Sequence, residues 1–179
     1  MALTEAFLAA TFNRPDLPVV DHHTYVLLGD GDMEEGISHE AASLAGHLRL
    51  GKLIYFYDDN HISIDGPTEL SYSDNVPLRF EAYGWHVQKV DAYDMPGIAS
   101  AIVTAQAVAD KPSLIICRSH IAYGSPNKVD TAEAHGSPLG EEEIRLTKRF
   151  YGRPEQEKFL VPDEVRFSMG QAVARGAGL

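Results

Sequence analysis

The chain has 179 residues, of which 44% are apolar and 23% charged, and these values are typical of one soluble globular domain. Its net charge of −11 argues against nucleic acids and anionic membranes as partners, because both need a basic surface. No apolar run approaches the roughly 18 residues of a membrane span, and the first residues lack the pattern of a signal peptide.

Helical and strand patterns alternate along the chain. The first helix ends at prolines, the strands are short apolar runs, and the long amphipathic second helix carries Ala41, Leu44, Ala45 and Leu48 on one side. The predicted elements are a helix over 2–13, a strand Tyr25–Leu28, a helix Glu35–Leu50, a strand Leu53–Tyr57, a helix Asn75–Tyr83, a strand Trp85–Val90, a helix Ile98–Ala109, a strand Leu114–Arg118, and helices Gly140–Phe150 and Val161–Ala174.

This order of elements predicts an α/β fold, a parallel sheet with helices on both faces, because each strand is followed by a helix through a short link. Ligands of such sheets bind at the carboxyl ends of the strands.

The chain has a single cysteine, Cys117, which lies in the last apolar strand. Because a disulfide needs two cysteines, no internal disulfide can form, and a reducing cytoplasm is expected. The polar segment 121–140 is long for a loop, which is typical of a functional or mobile segment.

The most informative motif is Gly29-Asp30-Gly31, which follows the first strand, together with Asn60, which follows the second after 28 intervening residues. A carboxylate and a carboxamide at neighbouring strand ends are oxygen ligands that suit Mg²⁺. The glycines allow close approach of a diphosphate, and the following helix N-terminus favours negative charge. The ordinary alternatives are a strand-to-helix turn in which Asp30 caps the helix, and a simple turn residue at Asn60.

The sequence around this motif closely resembles the thiamine diphosphate motif region of transketolases. The resemblance lies in DHHTYVLLGDGDMEEGISHEAASLAGHLRLGKLIYFYDDNHISIDG and continues through RFEAYGWHV, DKPSLIICRSHIAYGSPN and AEAHGSPLGEEE, roughly from residue 12 to residue 165. It implies the diphosphate-binding domain of the thiamine diphosphate-binding fold, incomplete at its N-terminus. Residues 1–179 would form this partial domain, with 162–179 the start of a linker helix.

The resemblance also implies roles for individual residues. Asp30, Asn60 and the backbone carbonyl of Ile62 would hold Mg²⁺ or Ca²⁺ against the cofactor, with Asp58 and Asp59 as supporting groups. The cofactor-binding set would be Gly29, Asp30, Gly31, Glu35, Asn60, Ile62 and His135.

Two of these residues have additional expected roles. Glu35 matches an acidic residue near the family's subunit interface, although a first-turn acid is also a simple dipole partner. His135 is the expected catalytic residue, because it matches a histidine near the diphosphate and the reacting carbons of the sugar, where an imidazole can move a proton. His120 and Ala122 depart from the family pattern in the loop that leads to His135.

The function implied by the resemblance is that of a transketolase component, which transfers a two-carbon ketol unit between sugar phosphates in the pentose phosphate pathway. The partners would be a complementary chain or domains that carry the aminopyrimidine site, in an oligomer, and this chain alone is expected to be inactive. The alternatives are a truncated binding module without catalysis and another thiamine diphosphate enzyme, such as a 1-deoxyxylulose-5-phosphate synthase. The segments EAASLAGHLRLGKLI and HGSPL favour transketolase over the synthase.

Overall fold

The computed structural model of the chain describes residues 1–177, so the last two residues of the predicted linker helix, 178 and 179, lie outside the described part. The described chain divides into two compact units. The first contains Met1–Tyr123 and Lys128–Leu139, and the second contains Gly124–Asn127 and the described residues from Gly140 onward.

The first unit alternates helices and strands, as predicted. Its elements are α1 (Ala2–Phe12), β1 (Thr24–Gly29), α2 (Asp30–Met33), α3 (Gly36–His47), β2 (Leu53–Asp59), β3 (Ile62–Ser63), β4 (Gly66–Pro67), a 3₁₀ turn (Thr68–Leu70), α4 (Val76–Ala82), β5 (His86–Asp91), α5 (Met95–Ala107), β6 (Ser113–Arg118) and α6 (Glu133–Gly136).

The centre of this unit is a four-stranded parallel sheet with the strand order β1-β2-β6-β5. Successive residues of a strand point to opposite faces. On one face, strand residues such as Leu53 and Leu114 pack with Ala42 of α3 and Phe80 of α4. On the other face, strand side chains pack against α5 in a second buried cluster, formed by Ile54, Ala101, Ala105 and Ile115. The predicted α/β class, with helices on both faces of a parallel sheet, is therefore confirmed.

Local sequence signals explain where two of the helices begin. Asn75 Oδ1 accepts a 3.1 Å hydrogen bond from the backbone N–H of Leu78 at the start of α4. Asp94 Oδ1 accepts one of the same length from Gly97 at the start of α5. A proline in the first turn of each helix lacks the N–H that would otherwise need a partner.

Of the four apolar residues that the sequence places on one side of the second helix, only Ala45 is buried. In α3 the buried residues are Ala42 and Ala45, whereas Leu44 is 52% exposed and Leu48 is 41% exposed. Ala42 and Ala45 belong to the same buried cluster as Trp85, whose indole N–H donates a 2.8 Å hydrogen bond to the carbonyl of Ala42. The small residues of α3 therefore face the sheet, and its leucines lie at the rim.

The outer strand β1 keeps one side uncovered in the described chain. Tyr25 is exposed and Leu27 is 84% exposed, although both belong to an apolar strand. A fully exposed leucine in such a strand is unusual, and contiguous apolar surface commonly marks a contact with another segment or chain.

The second unit contains the two remaining helices, α7 (Glu141–Phe150) and α8 (Asp163–Gly176). The buried Glu143 joins the short segment Gly124–Asn127 to α7, since it accepts hydrogen bonds from Ser125 Oγ at 2.5 Å and from the Asn127 backbone N–H at 2.8 Å. No helix within residues 1–177 combines the length and apolar character needed to cross a membrane.

Candidate functional site

The carboxyl ends of the parallel strands meet at one edge of the sheet. Gly29, the last residue of β1, is the register partner of Asp58 in β2, and Asp58 is in turn the partner of Cys117 in β6. A cavity of about 590 Å³ opens at this edge. Polar and charged side chains line much of it, among them those of Asp30, Tyr57, Asp59, His61, Tyr72 and Arg118.

Asp30 is the buried carboxylate of this cavity, with 5% of its surface exposed. The hydroxyl of Tyr57 donates a 2.5 Å hydrogen bond to Asp30 Oδ1. The second oxygen, Oδ2, is buried and has no hydrogen-bond partner within the described chain. A buried carboxylate oxygen without a partner is costly, so it points to a cation or donor that binds in the cavity.

The electrostatics of Asp30 follow from the same geometry. Burial raises the pKa of its carboxyl above the ordinary value of 3.8, and the nearby Asp59 carboxylate adds to this effect. The hydrogen bond from Tyr57 and the backbone N–H of His61 both lower the pKa of Asp30. Asp30 is therefore a carboxylate whose charge the protein compensates only partly, and a bound cation would complete the compensation.

Asp30 does not act as the cap of the helix that it begins. The carboxylate that accepts from the backbone at this turn belongs to Asp32, whose Oδ2 accepts a 2.8 Å hydrogen bond from the Gly29 N–H. A Cβ added to Gly29 or Gly31 would meet no other protein atom within 4 Å. The packing of the chain therefore does not require glycine at these two positions. Glycine would instead allow a ligand to approach the backbone closely.

Asn60 lies in a turn that hydrogen bonds hold at the end of β2. Its Oδ1 accepts a 2.9 Å hydrogen bond from the backbone N–H of Ile62, and its Nδ2 donates to Asp58 Oδ2 at 3.2 Å. Asp58 also accepts from Ser119 Oγ, which connects the turn to the end of β6. Between the two expected ligands, His61 has a φ of 65°, a left-handed conformation that is uncommon for a residue with a side chain.

Asp30 and His61 line the same cavity, whereas Asn60 and Ile62, on either side of His61, are not among its lining residues. Among residues 1–177 no three His, Cys, Asp or Glu side chains form a metal-binding group. The expected ligand set is of another kind, since it contains one carboxylate, one carboxamide and one backbone carbonyl. Asp59, expected to be a supporting group, lines the cavity and lies 3.1 Å from His61 Nε2.

The other expected site residues lie elsewhere. Glu35 is exposed at the N-terminal boundary of α3 and makes no capping hydrogen bond with its side chain. His135 is exposed on the short helix α6 and is not among the residues that line the cavity around Asp30.

Among the lining residues that the sequence reasoning missed are Tyr57 and Tyr72. For Tyr57 a signal existed, because it is the last residue of the predicted second strand and so lies at the carboxyl edge of the sheet, where Asp30 was also expected. Tyr72 follows the 3₁₀ turn and a short loop, and no periodic pattern in the sequence brings it to Asp30.

Comparison with known proteins gives a consistent result. A family model described as "Transketolase, thiamine diphosphate binding domain" matches residues 1–179. The chain is 53% identical over 180 residues to a transketolase of Nostoc sp., covering 99% of this chain and 27% of that protein. It is 54% identical over 166 residues to transketolase 1 of Escherichia coli, covering 92% of this chain and 25% of the relative.

Solved structures agree with these relatives. A transketolase from Pichia stipitis in complex with sedoheptulose 7-phosphate has a TM-score of 0.94 and 46% identity, over 99% of this chain and 26% of that one. Transketolase from Leishmania mexicana also has a TM-score of 0.94, with 45% identity over 99% of this chain and 27% of that one. The chain thus spans about a quarter of the length of the proteins that it matches.

Proposed function

The chain belongs to the transketolase family and corresponds to its thiamine diphosphate binding domain, and from this premise we propose that it binds the diphosphate of the cofactor through a divalent metal. In this proposal it forms one part of a transketolase that transfers a two-carbon ketol unit between sugar phosphates. The observation that carries the proposal is the buried Asp30 Oδ2, which has no partner within the described chain and belongs to a residue lining a cavity at the sheet edge.

The residues present fit a hard cation. Asp30 Oδ2, Asn60 Oδ1 and the carbonyl of Ile62 would supply three oxygen ligands, and Mg²⁺ commonly combines a few such groups with phosphate oxygens. The hydrogen bonds around Asn60 support this assignment because they hold its amide in one orientation. Ca²⁺ could be coordinated by the same oxygens. Gly29 and Gly31 would leave room for the diphosphate beside the backbone.

When bound, thiamine diphosphate supplies the carbon nucleophile that accepts the two-carbon unit from a ketose. The proposed contribution of this chain is to position and neutralise the diphosphate end. His135 would donate a hydrogen bond or move a proton at the sugar oxygen, as an imidazole can near neutral pH. Glu35 would lie near a subunit interface, where its exposure leaves it available.

Further parts of the active site would come from other domains or chains. Residues 1–179 would be part of the diphosphate and metal-binding domain, with the helix from residue 162 leading toward the domain that binds the aminopyrimidine. We expect an oligomer in the cytoplasm, in the pentose phosphate pathway, and no ketol transfer from this chain alone. The exposed Tyr25 and Leu27 on β1 support this expectation, because they suit contact with another segment or chain.

The test is a calorimetric titration. The sample is the chain complemented with the remaining transketolase domains, and Mg²⁺ and thiamine diphosphate are added to it. Asp30→Ala should abolish metal-dependent binding of the cofactor. Glu40→Ala is the control, because it removes an equally charged side chain from an exposed position on α3. An unchanged affinity in Asp30→Ala would overturn the metal assignment, and ordinary turnover by the purified chain alone would overturn its role as a component.

A further inference from the structure

Tyr72, a residue that lines the same cavity as Asp30, also has a buried polar atom without a partner in the described chain, its hydroxyl. Within the described chain only three buried side-chain oxygen or nitrogen atoms have no hydrogen-bond partner, namely Thr24 Oγ1, Asp30 Oδ2 and Tyr72 Oη. Asp30 and Tyr72 both line the same 590 Å³ cavity. Thr24 is not among the residues that line it.

The segment that carries Tyr72 is held beside the turn that carries Asp30. The backbone N–H of Tyr72 donates a 2.8 Å hydrogen bond to the Thr68 carbonyl, at the start of the 3₁₀ turn. The preceding residue, Ser71, donates from Oγ to Glu34 Oε2 at 3.0 Å, and Glu34 directly follows α2. These hydrogen bonds tie the segment that carries Tyr72 to the turn after β1.

The hydroxyl keeps its proton at neutral pH. Burial raises the pKa of Tyr72 above the ordinary value of 10.0, and the charges of Asp74, Glu34 and Asp30 raise it further, with only Arg79 acting in the opposite direction. A neutral phenol is a hydrogen-bond donor as well as an acceptor. The surroundings of Tyr72 are rich in carboxylates, so an added cation or its bound water would be attracted to the same place.

Packing alone gives no reason for a hydroxyl at this position. The ring of Tyr72 packs against the buried cluster formed with Phe80 and Met33, and a phenylalanine ring would make the same apolar contacts. A buried hydroxyl without a partner lowers stability relative to phenylalanine. Buried polar atoms of this kind are commonly explained by a bound water, ion or ligand.

We propose that Tyr72 is a further binding residue of this site, whose hydroxyl donates a hydrogen bond to an oxygen of the group held by the metal at Asp30. This inference rests on the proposed function. The acceptor is either a metal-bound water or a diphosphate oxygen, since both offer the same chemistry to the hydroxyl.

The test compares wild type with Tyr72→Phe, which removes one oxygen atom and keeps the ring. Both proteins are titrated with Mg²⁺ alone and with Mg²⁺ plus thiamine diphosphate, in the same complemented assembly, and melting temperatures are measured without ligand. Tyr72→Phe should bind about 3- to 10-fold more weakly in at least one titration. Its melting temperature without ligand should be equal to that of wild type or higher. Tyr83→Phe is the control, since Tyr83 lies outside the cavity.

The two titrations distinguish the two acceptors. Weaker binding of Mg²⁺ alone would identify a metal-bound water, and a loss confined to the titration with cofactor would identify a diphosphate oxygen. If wild type binds and Tyr72→Phe binds with the same affinity, the role of Tyr72 is overturned and the proposed function stays intact. A lower melting temperature without ligand would also overturn it, because it would show a structural hydroxyl. A wild type that binds neither would overturn the proposed function, and this inference with it.

Discussion

Tyr57 donates a 2.5 Å hydrogen bond to Asp30 Oδ1, and this contact joins β2 to the turn after β1. It satisfies one oxygen of a buried carboxylate and leaves the other without a partner in the described chain. This hydrogen bond restricts the orientation of the carboxylate. Fixing the free oxygen in advance reduces the entropy that binding would otherwise cost.

Removal of this hydroxyl should destabilise the fold. Tyr57→Phe removes the hydrogen bond to Asp30 Oδ1 and leaves the buried carboxylate with less compensation of its charge, so the free energy of unfolding should fall by about 1–3 kcal/mol. Urea denaturation at neutral pH measures the change. Tyr55→Phe is the matched control on the same face of β2, because its hydroxyl makes no side-chain hydrogen bond recorded within residues 1–177. Equal stability of the two variants would contradict the structural role of the Tyr57 hydroxyl.

The close approach of α3 to the turn before β5 gives a second expectation. A Cβ on Gly46 would lie 1.9 Å from the Tyr83 carbonyl oxygen, so the backbone would have to move. Gly46→Ala should lower the free energy of unfolding by about 1–3 kcal/mol, although alanine favours a helix by about 1 kcal/mol. Gly36→Ala, in the same helix, meets no atom within 4 Å and should be neutral or stabilising. Equal stability of the two variants in thermal or urea unfolding would contradict the expected steric conflict at Gly46.

The second unit should lose stability in acid through Glu155. Its carboxylate accepts hydrogen bonds from Arg149 and Arg145, both at 2.8 Å, and these hold its pKa below the ordinary value of 4.5. Because the folded pKa is the lower one, the contribution is present above pH 4.5 and is lost as the pH falls through the folded pKa. Unfolding curves between about pH 6 and pH 3 should therefore show a smaller decline in Glu155→Gln. An identical decline would exclude this pair of contacts as a source.

His135 should matter for turnover more than for cofactor binding. In an active assembly with the remaining transketolase domains, His135→Ala should lower kcat by about 10²–10⁴-fold, because a proton transfer step loses its donor or acceptor. Thiamine diphosphate affinity should fall less. His47→Ala, an exposed histidine on α3, is the control. An unchanged kcat would show that His135 is an ordinary solvated residue, and His120 and Ala122 would be the first positions to examine.

The sequence alone was sufficient for the class of fold and for the sheet edge at which Asp30 lies. Short apolar runs, prolines and capping residues are local signals, and they locate β1, β2 and β6 within a residue or two. The alternation of strands and helices then implies a parallel sheet, so Asp30 had to lie at its carboxyl edge. The resemblance to transketolases, carried by the same residues, is confirmed by the family match.

Only the tertiary structure decided which polar atoms are buried and which of them have partners. Periodicity can assign a side chain to a face, but it contains no information about contacts between residues distant in the chain, such as Tyr57 with Asp30 or Trp85 with Ala42. In the folded chain the leucines at positions 44 and 48 of α3 and its C-cap are exposed, and Asp30 Oδ2 and Tyr72 Oη, from two residues that line one cavity, are buried without a partner in the described chain. The burial of a polar atom depends on every segment that packs around it, and that arrangement exists only in the folded chain.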